Sequence, residues 1–307
     1  SFTDEKTGDV IDNGQHLLMS NYQNTQWLLN KLGTDKQIEY QKQMQVPYLI
    51  KNSGNSLLRK ILVVPPLASP FHLIGFLYNS SLFNRKEKFS LLRTASLRNK
   101  QASLYAGITV KDLLELFKQK ETAVEKFWKP FVESALNTSL SDASASLLIK
   151  TLQKSILKGG KHCRLGFPQK GLSNIFNYPA EDYLTKRKTK IEYNLQIEKI
   201  KFNDQNEVSA LIYDNGKEIP VNYLISAIPF YQLKKILPVQ MLEKLWKPEK
   251  LNYNYSPIVS AYLWSEKPIF HDPYYCFSGA RIHWMFNKRA FGGPYKSKLF
   301  IYGITIS

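Results

Sequence analysis

Apolar positions recur at helical spacing through much of the first half of the chain and at strand spacing through most of the second. Residues 8–14 read as a short strand entering a polar turn. The stretch QHLLMSNYQNTQWLLNKLG (15–33) then reads as a helix. It carries Leu17, Leu18, Tyr22, Leu28, Leu29 and Leu32 at roughly helical intervals, with Gly33 as its stop. Residues 35–65 read as short strands with polar turns. VVPPLASPFHLIGFLYNSSLF (63–83) is the most apolar stretch and holds three prolines. Two readings stay open for it: a buried loop and helix, or a lip that meets lipid. The cations that follow (Arg85, Lys86, Lys88, Arg93, Arg98 and Lys100) favour the lip.

Residues 109–158 read as helical, with Thr109 and Asp112 as a capping pair. In VEKFWKPFVESALN the spacing places Val124, Phe127, Trp128, Phe131, Val132 and Ala135 on one face, and SDASASLLIKTLQKSIL gives a third helix. After Gly159 and Gly160 the period changes. Residues 193–229 hold three strand candidates, the first two joined by NDQN and the third, YLISAIP, with the continuous apolar run of a strand buried on both faces. SPIVSAYLW, IHWMF and KLFIYGITIS read as further strands. The chain begins at Ser1 and its final apolar strand runs to Ser307, which suggests an internal segment of a longer protein.

Composition sharpens this picture. With 307 residues and 43% hydrophobic content the chain can bury a sizeable core, which argues against disorder. The net charge is +17, yet only 8 of the 42 cationic residues are Arg, so base readout and bidentate phosphate clamping are disfavoured and no nucleic acid partner is expected. The basic loop LTKRKTK reads as solvated. Cys163 and Cys276 stand far apart, which excludes a disulfide framework and points to a reducing compartment. No apolar run reaches the roughly 18 residues of a membrane span.

No dinucleotide fingerprint, P-loop, zinc-binding motif or nucleophile elbow occurs, and the five histidines show no ligand spacing. Three weaker signals remain, in a definite order. They are the turn Asp12-Asn13-Gly14-Gln15-His16, the segment GFPQKGLSNIF with Gly171 near a helix start, and the meander of residues 192–226 leading into SAIP.

That order resembles the flavin-dependent amine oxidase and phytoene desaturase superfamily. Within it the chain is most similar to the squalene-associated FAD-dependent desaturases, also described as hydroxysqualene dehydroxylases. The resemblance rests on IDNGQH, PPLASPFHL, FWKPFVESALNTSLSDASASLL, LGFPQKGLSNIF, LISAIP, SPIVSAYLW and HWMF, and spans nearly all of the chain. One local departure is that Lys170 precedes a single Gly171, where relatives often pair two glycines.

The resemblance implies a mixed α/β fold, part of a two-domain FAD-binding architecture without most of its N-terminal Rossmann unit. Residues 1–34 and 166–240 would belong to the FAD-binding domain, and 35–165 and 241–307 to the substrate domain. It implies FAD contacts at Asp12, Gly14, Gln15, Gly171, Ile197, Ile200, Ala227 and Pro229, no metal, and His16 as candidate proton donor. The implied reaction is reductive dehydroxylation of hydroxysqualene, a polyprenyl lipid, by a bacterial cytoplasmic protein peripheral to the membrane. These residues alone are not expected to turn over. A carotenoid-type desaturase or an amine oxidase is the alternative within the superfamily. A non-catalytic basic module binding lipid or nucleic acid is the alternative outside it.

Overall fold

The computed structural model describes residues 1–14, 16–51, 56–245, 255–293 and 295–306. They form two compact units, residues 1–183 with 256–307 and residues 184–255.

In the first unit, β1 (Phe2–Thr3) and β2 (Val10–Ile11) pair as a short antiparallel ribbon. β3 (Leu18–Met19), α1 (Gln23–Leu32), β4 (Ile38–Tyr40), β5 (Met44–Lys51) and β6 (Leu57–Val64) follow. A run of helices comes next: α2 (Phe71–Asn79), α3 (Arg85–Leu92), α4 (Val110–Leu116), the single turn α5 (Glu121–Ala123), α6 (Lys129–Leu136) and α7 (Ala145–Lys154). β7 (Leu165–Pro168) then leads into α8 (Tyr178–Thr185).

The second unit holds β8 (Ile197–Phe202), β9 (Val208–Tyr213) and β10 (Glu218–Pro220), an antiparallel sheet in the order β10-β9-β8, followed by α9 (Phe230–Ile236) and α10 (Val239–Leu245). The chain returns to the first unit with β11 (Val259–Ser265), β12 (Tyr274–Ser278), β13 (Trp284–Asn287) and β14 (Phe300–Ile306). These join the earlier hairpin in a six-stranded sheet of order β11-β14-β13-β12-β5-β6, in which β12 runs parallel to β5. The helical layer shares one apolar core with this sheet, in which Leu62, Trp128, Val132 and Leu148 are buried.

Three expectations change in the folded chain. The helix expected over 15–33 begins only at Gln23, because Leu18 and Met19 pair with Gly166 and Leu165 of β7. A tertiary ladder here overrides a local helical period, while Gly33 ends α1 in the left-handed region as its position predicts. Ala135 turns outward because a π turn, Val124–Trp128, adds a residue to the helical repeat, and Leu136 takes its place against the core. The run LISAIP is irregular, with Ile225 95% exposed and no strand among the described residues beside it. An apolar run becomes a strand only where a neighbour takes its backbone hydrogen bonds.

The most apolar stretch folds as α2 with two different faces. His72 and Phe76 are buried against the core, while Phe71, Ile74 and Tyr78 are exposed. The helix lies close on the strand's exit because Gly75 faces Pro65, where an added Cβ would stand 2.2 Å from the ring. The expected capping box at Thr109 and Asp112 is present, and both cysteines are buried and unbridged. Among the described residues no helix is long and apolar enough to cross a membrane.

Candidate functional site

β2 delivers Asp12 into the first polar turn, and β7 delivers the segment 169–172 beside it. Asp12 is nearly buried, and both of its carboxylate oxygens accept the Leu172 N–H at 3.1 Å. Leu172 stands where a helical run begins, so the carboxylate satisfies a donor that the helix leaves open. The Asp12 carbonyl accepts the Tyr262 hydroxyl at 2.6 Å. Burial, and next the charge of Asp12, push that hydroxyl up to about 12, which keeps it a donor at neutral pH.

Asp9, on the approach to the same turn, is fully buried. It accepts the Trp264 indole N–H at 2.9 Å and the backbone N–H and hydroxyl of Ser297 at 2.8 and 2.6 Å. Burial alone would raise its pKa, but the hydrogen bonds from Ser297 and Trp264 outweigh it and hold the carboxyl at about 2. This acid ties the loop 288–297 to the front of the chain. Arg289 anchors the loop from within, donating to the carbonyls of Leu299 and Ser297 and standing 5.3 Å from the Tyr295 ring centroid. Gly292, at φ 69°, lies against the Gln169 carbonyl, where a Cβ would stand 2.7 Å from the oxygen.

These contacts enclose a small polar pocket, with open room of about 10 Å3, lined by Asp12, Gly14, His16, Gly171, Lys288 and Tyr295. Lys288 is buried in its wall; burial lowers its pKa, and the charge of Asp12 opposes that. His16 stands at the exposed rim. Phe291 also lines the pocket and starts an aromatic row, stacking on Phe167 at 4.9 Å, which meets Tyr274 at 5.4 Å. Tyr274 in turn meets Phe286 and Trp284 at 5.9 and 6.0 Å.

The structure therefore brings Asp12, Gly14, His16 and Gly171 together. The N–H after Gly171 is already taken by Asp12, so Gly171 offers the pocket its open backbone and no free helix end. Gln15 lies outside the described residues. Ile197 and Ile200 belong to the sheet of the second unit, where Ile200 is buried, and Ala227 and Pro229 are exposed in the irregular segment before α9. Sequence reasoning missed Asp9, Tyr262, Lys288 and Tyr295. Only Asp9 carried a signal, as a second acid flanking the strand in GDVIDNG.

A separate apolar cavity of about 60 Å3 lies beneath α2, lined by Leu62, Leu73, Phe76, Leu91, Phe127 and Trp128. Elsewhere, His283 approaches Glu133 at 3.5 Å, and burial raises the pKa of that acid against the opposing pull of His283.

Comparison with known proteins places this geometry in a family. Residues 1–290 match the family model of flavin-containing amine oxidoreductases. The chain is 24% identical over 241 residues to a hydroxysqualene dehydroxylase of Zymomonas mobilis, covering 78% of this chain and 55% of that protein. It is 22% identical over 277 residues to a 15-cis-phytoene desaturase of an Oncidium hybrid, covering 86% of this chain and 46% of that protein. The chain thus spans about half the length of these relatives. In fold it is similar to putrescine oxidase, with a TM-score of 0.67 at 11% identity over 100% of this chain and 67% of that one. It is also similar to a reduced UDP-galactopyranose mutase, with a TM-score of 0.57 at 13% identity over 99% of this chain and 65% of that one. A mixed α/β chain with this fold, matched over residues 1–290, belongs to the flavin-containing amine oxidoreductase family.

Proposed function

We propose that this chain is the central part of an FAD-dependent oxidoreductase that reductively removes the hydroxyl group of hydroxysqualene to give squalene. The observation that carries the proposal is the similarity to hydroxysqualene dehydroxylases over 78% and, for a second relative from Sinorhizobium fredii, 93% of the chain. On this reading residues 1–34 and 166–240 serve the cofactor, and residues 35–165 and 241–307 serve the lipid. The protein works peripherally at the cytoplasmic face of a bacterial membrane, where its substrate resides.

FAD is the cofactor the family implies. The polar pocket has open room of only about 10 Å3, far too little for a whole dinucleotide, so its residues would meet at most one edge of the cofactor. Gly14 and Gly171 give that edge close backbone approach, and the buried Lys288 places a cation beside it. Ile197, Ile200, Ala227 and Pro229 are proposed contacts for the remainder of the cofactor. When bound and reduced, FAD supplies the hydride that replaces the hydroxyl.

The chain itself must provide a proton, because hydride replaces hydroxide and water departs. His16 at the rim and Lys288 in the wall are two groups of the pocket suited to this. Phe291, backed by the buried aromatic row, gives the hydrocarbon an apolar contact at the pocket that excludes water.

The test is to purify the whole protein, record its flavin spectrum, and incubate it anaerobically with hydroxysqualene and a reductant. Squalene as product supports the proposal. New conjugated double bonds in a supplied carotenoid precursor would reassign it as a desaturase, the reading that the phytoene desaturase similarity favours. Oxidation of an amine would make it an amine oxidase, and a whole protein without flavin would end the oxidoreductase reading.

A further inference from the structure

The outer face of α2 is not explained by the pocket or by the core. Phe71, Ile74 and Tyr78 stand three and four residues apart, so they share one side of the helix. They are 61%, 51% and 84% exposed. The opposite side is already committed, since His72 and Phe76 are buried and Leu73 lines the apolar cavity. The helix is thus apolar all round but covered on one side only, and a solvated helix would be expected to carry polar residues there.

The charge around this face is mainly of one sign, although α5 brings the exposed Glu121 beside α3 and Asp272 pairs with Arg59. α3 begins where α2 ends, and Lys88 donates its ammonium hydrogen bond to the Leu77 carbonyl of the last α2 turn. Arg85, Lys86 and Phe89 follow on the exposed side of α3. Residues 56–110 contain eight Lys or Arg and a single acid, Glu87. That acid is buried and paired with Lys126 at 2.8 Å, so it neutralises nothing at the surface. Aromatic and aliphatic side chains beside an excess of cations are what an anionic bilayer selects: the apolar groups enter the acyl boundary and the cations meet the headgroups. A second copy of the chain would bring the same cations to the same face and be repelled by it.

We infer that the outer face of α2 with the exposed side of α3 is a docking surface for an anionic lipid bilayer. It engages lipid through Phe71, Ile74, Tyr78 and Phe89, with Arg85 and Lys86 on the headgroups. Leu73 and Phe76 take no part in it, because both serve the interior. The inference does not depend on the substrate assignment.

The test is flotation of the whole protein with vesicles that contain no substrate, either of phosphatidylcholine alone or of phosphatidylcholine with phosphatidylglycerol. Binding is expected to the mixed vesicles and to fall as salt rises. Ile74→Asp with Tyr78→Asp should lower partitioning by about tenfold or more, from the apolar contact removed. Arg85→Glu with Lys86→Glu should lower it by about tenfold and abolish most of the salt dependence. Leu147→Asp, at an exposed apolar position on α7, should leave binding unchanged. Circular dichroism checks that each variant is folded. Equal flotation of wild type and the Ile74/Tyr78 variant overturns the inference. So does an absence of vesicle binding together with a dimer that the same variant dissociates, since the face would then be a self-contact.

Discussion

Asp12 and Leu172 are 160 positions apart, and the carboxylate of one accepts the backbone N–H of the other through both oxygens at 3.1 Å. The contact seats the first turn of the chain on the start of a distant helical run and sets one wall of the pocket. Asp12→Ala leaves a buried N–H without a partner and should cost about 1–3 kcal/mol. Asp12→Asn retains an acceptor and should cost roughly half as much. Urea unfolding of the whole protein compares the two. Equal losses would show that the charge matters and the acceptor does not.

Asp9 makes stability depend on acid. Its folded carboxyl is held at about 2, below the ordinary 3.8, so its contribution is complete above the unfolded value and drains as pH falls toward the folded one. The shift corresponds to about 2 kcal/mol. Asp9→Asn should be less stable than wild type by about that amount at neutral pH, and the gap should close near about pH 2. A gap that stays constant on acidification would remove Asp9 as the cause.

The two faces of α2 should separate in stability measurements. Phe76 is 8% exposed and Tyr78 84% exposed. Phe76→Ala should cost about 3–5 kcal/mol through the cavity it leaves. Tyr78→Ala should stay within about 0.5 kcal/mol. Denaturant midpoints decide the matter, and comparable losses would mean that α2 packs differently.

His16 and Lys288 can be told apart by turnover. If one supplies the proton to the departing hydroxyl, replacing it should slow turnover by about a hundredfold or more, with the flavin spectrum and melting temperature retained. His16→Gln and Lys288→Met are the variants. Loss confined to one identifies the donor, and full activity in both would exclude the pair.

Gly292 should not tolerate a side chain. Its φ of 69° and the Gln169 carbonyl, 2.7 Å from where a Cβ would stand, both oppose one. Gly292→Ala should destabilise by about 1–3 kcal/mol and loosen the loop that carries Tyr295. Hydrogen exchange across residues 288–297 would report the loosening, and unchanged protection would mean that the loop is held by Asp9 and Arg289 alone.

Much of the local architecture could be read from residue order because its causes are local. The capping pair Thr109 and Asp112, the stop at Gly33, the strand pattern of residues 35–65 and the last strands follow from neighbours within a few positions. The family could be read as well, through the order of the turn at 11–16, the helical segment at 127–148 and the glycine turn at 166–171. Where distant partners compete, the local pattern failed. Leu18 and Met19 left their helix for β7, and LISAIP, with the pattern of a buried strand, found no partner strand among the described residues.

The pocket shows the same division. Asp12, Gly14, His16 and Gly171 were legible because turn chemistry marks them in sequence. Lys288, Tyr262, Tyr295 and Ser297 were not, because each acquires its role only when a chain segment more than 240 residues from the first turn folds back onto it. A lysine in FNKRAF carries no trace of the Asp12 charge that opposes its burial. Hydrophobic period specifies which residues turn inward, but which polar groups meet there depends on long-range closure, and that closure determines the electrostatics of the site.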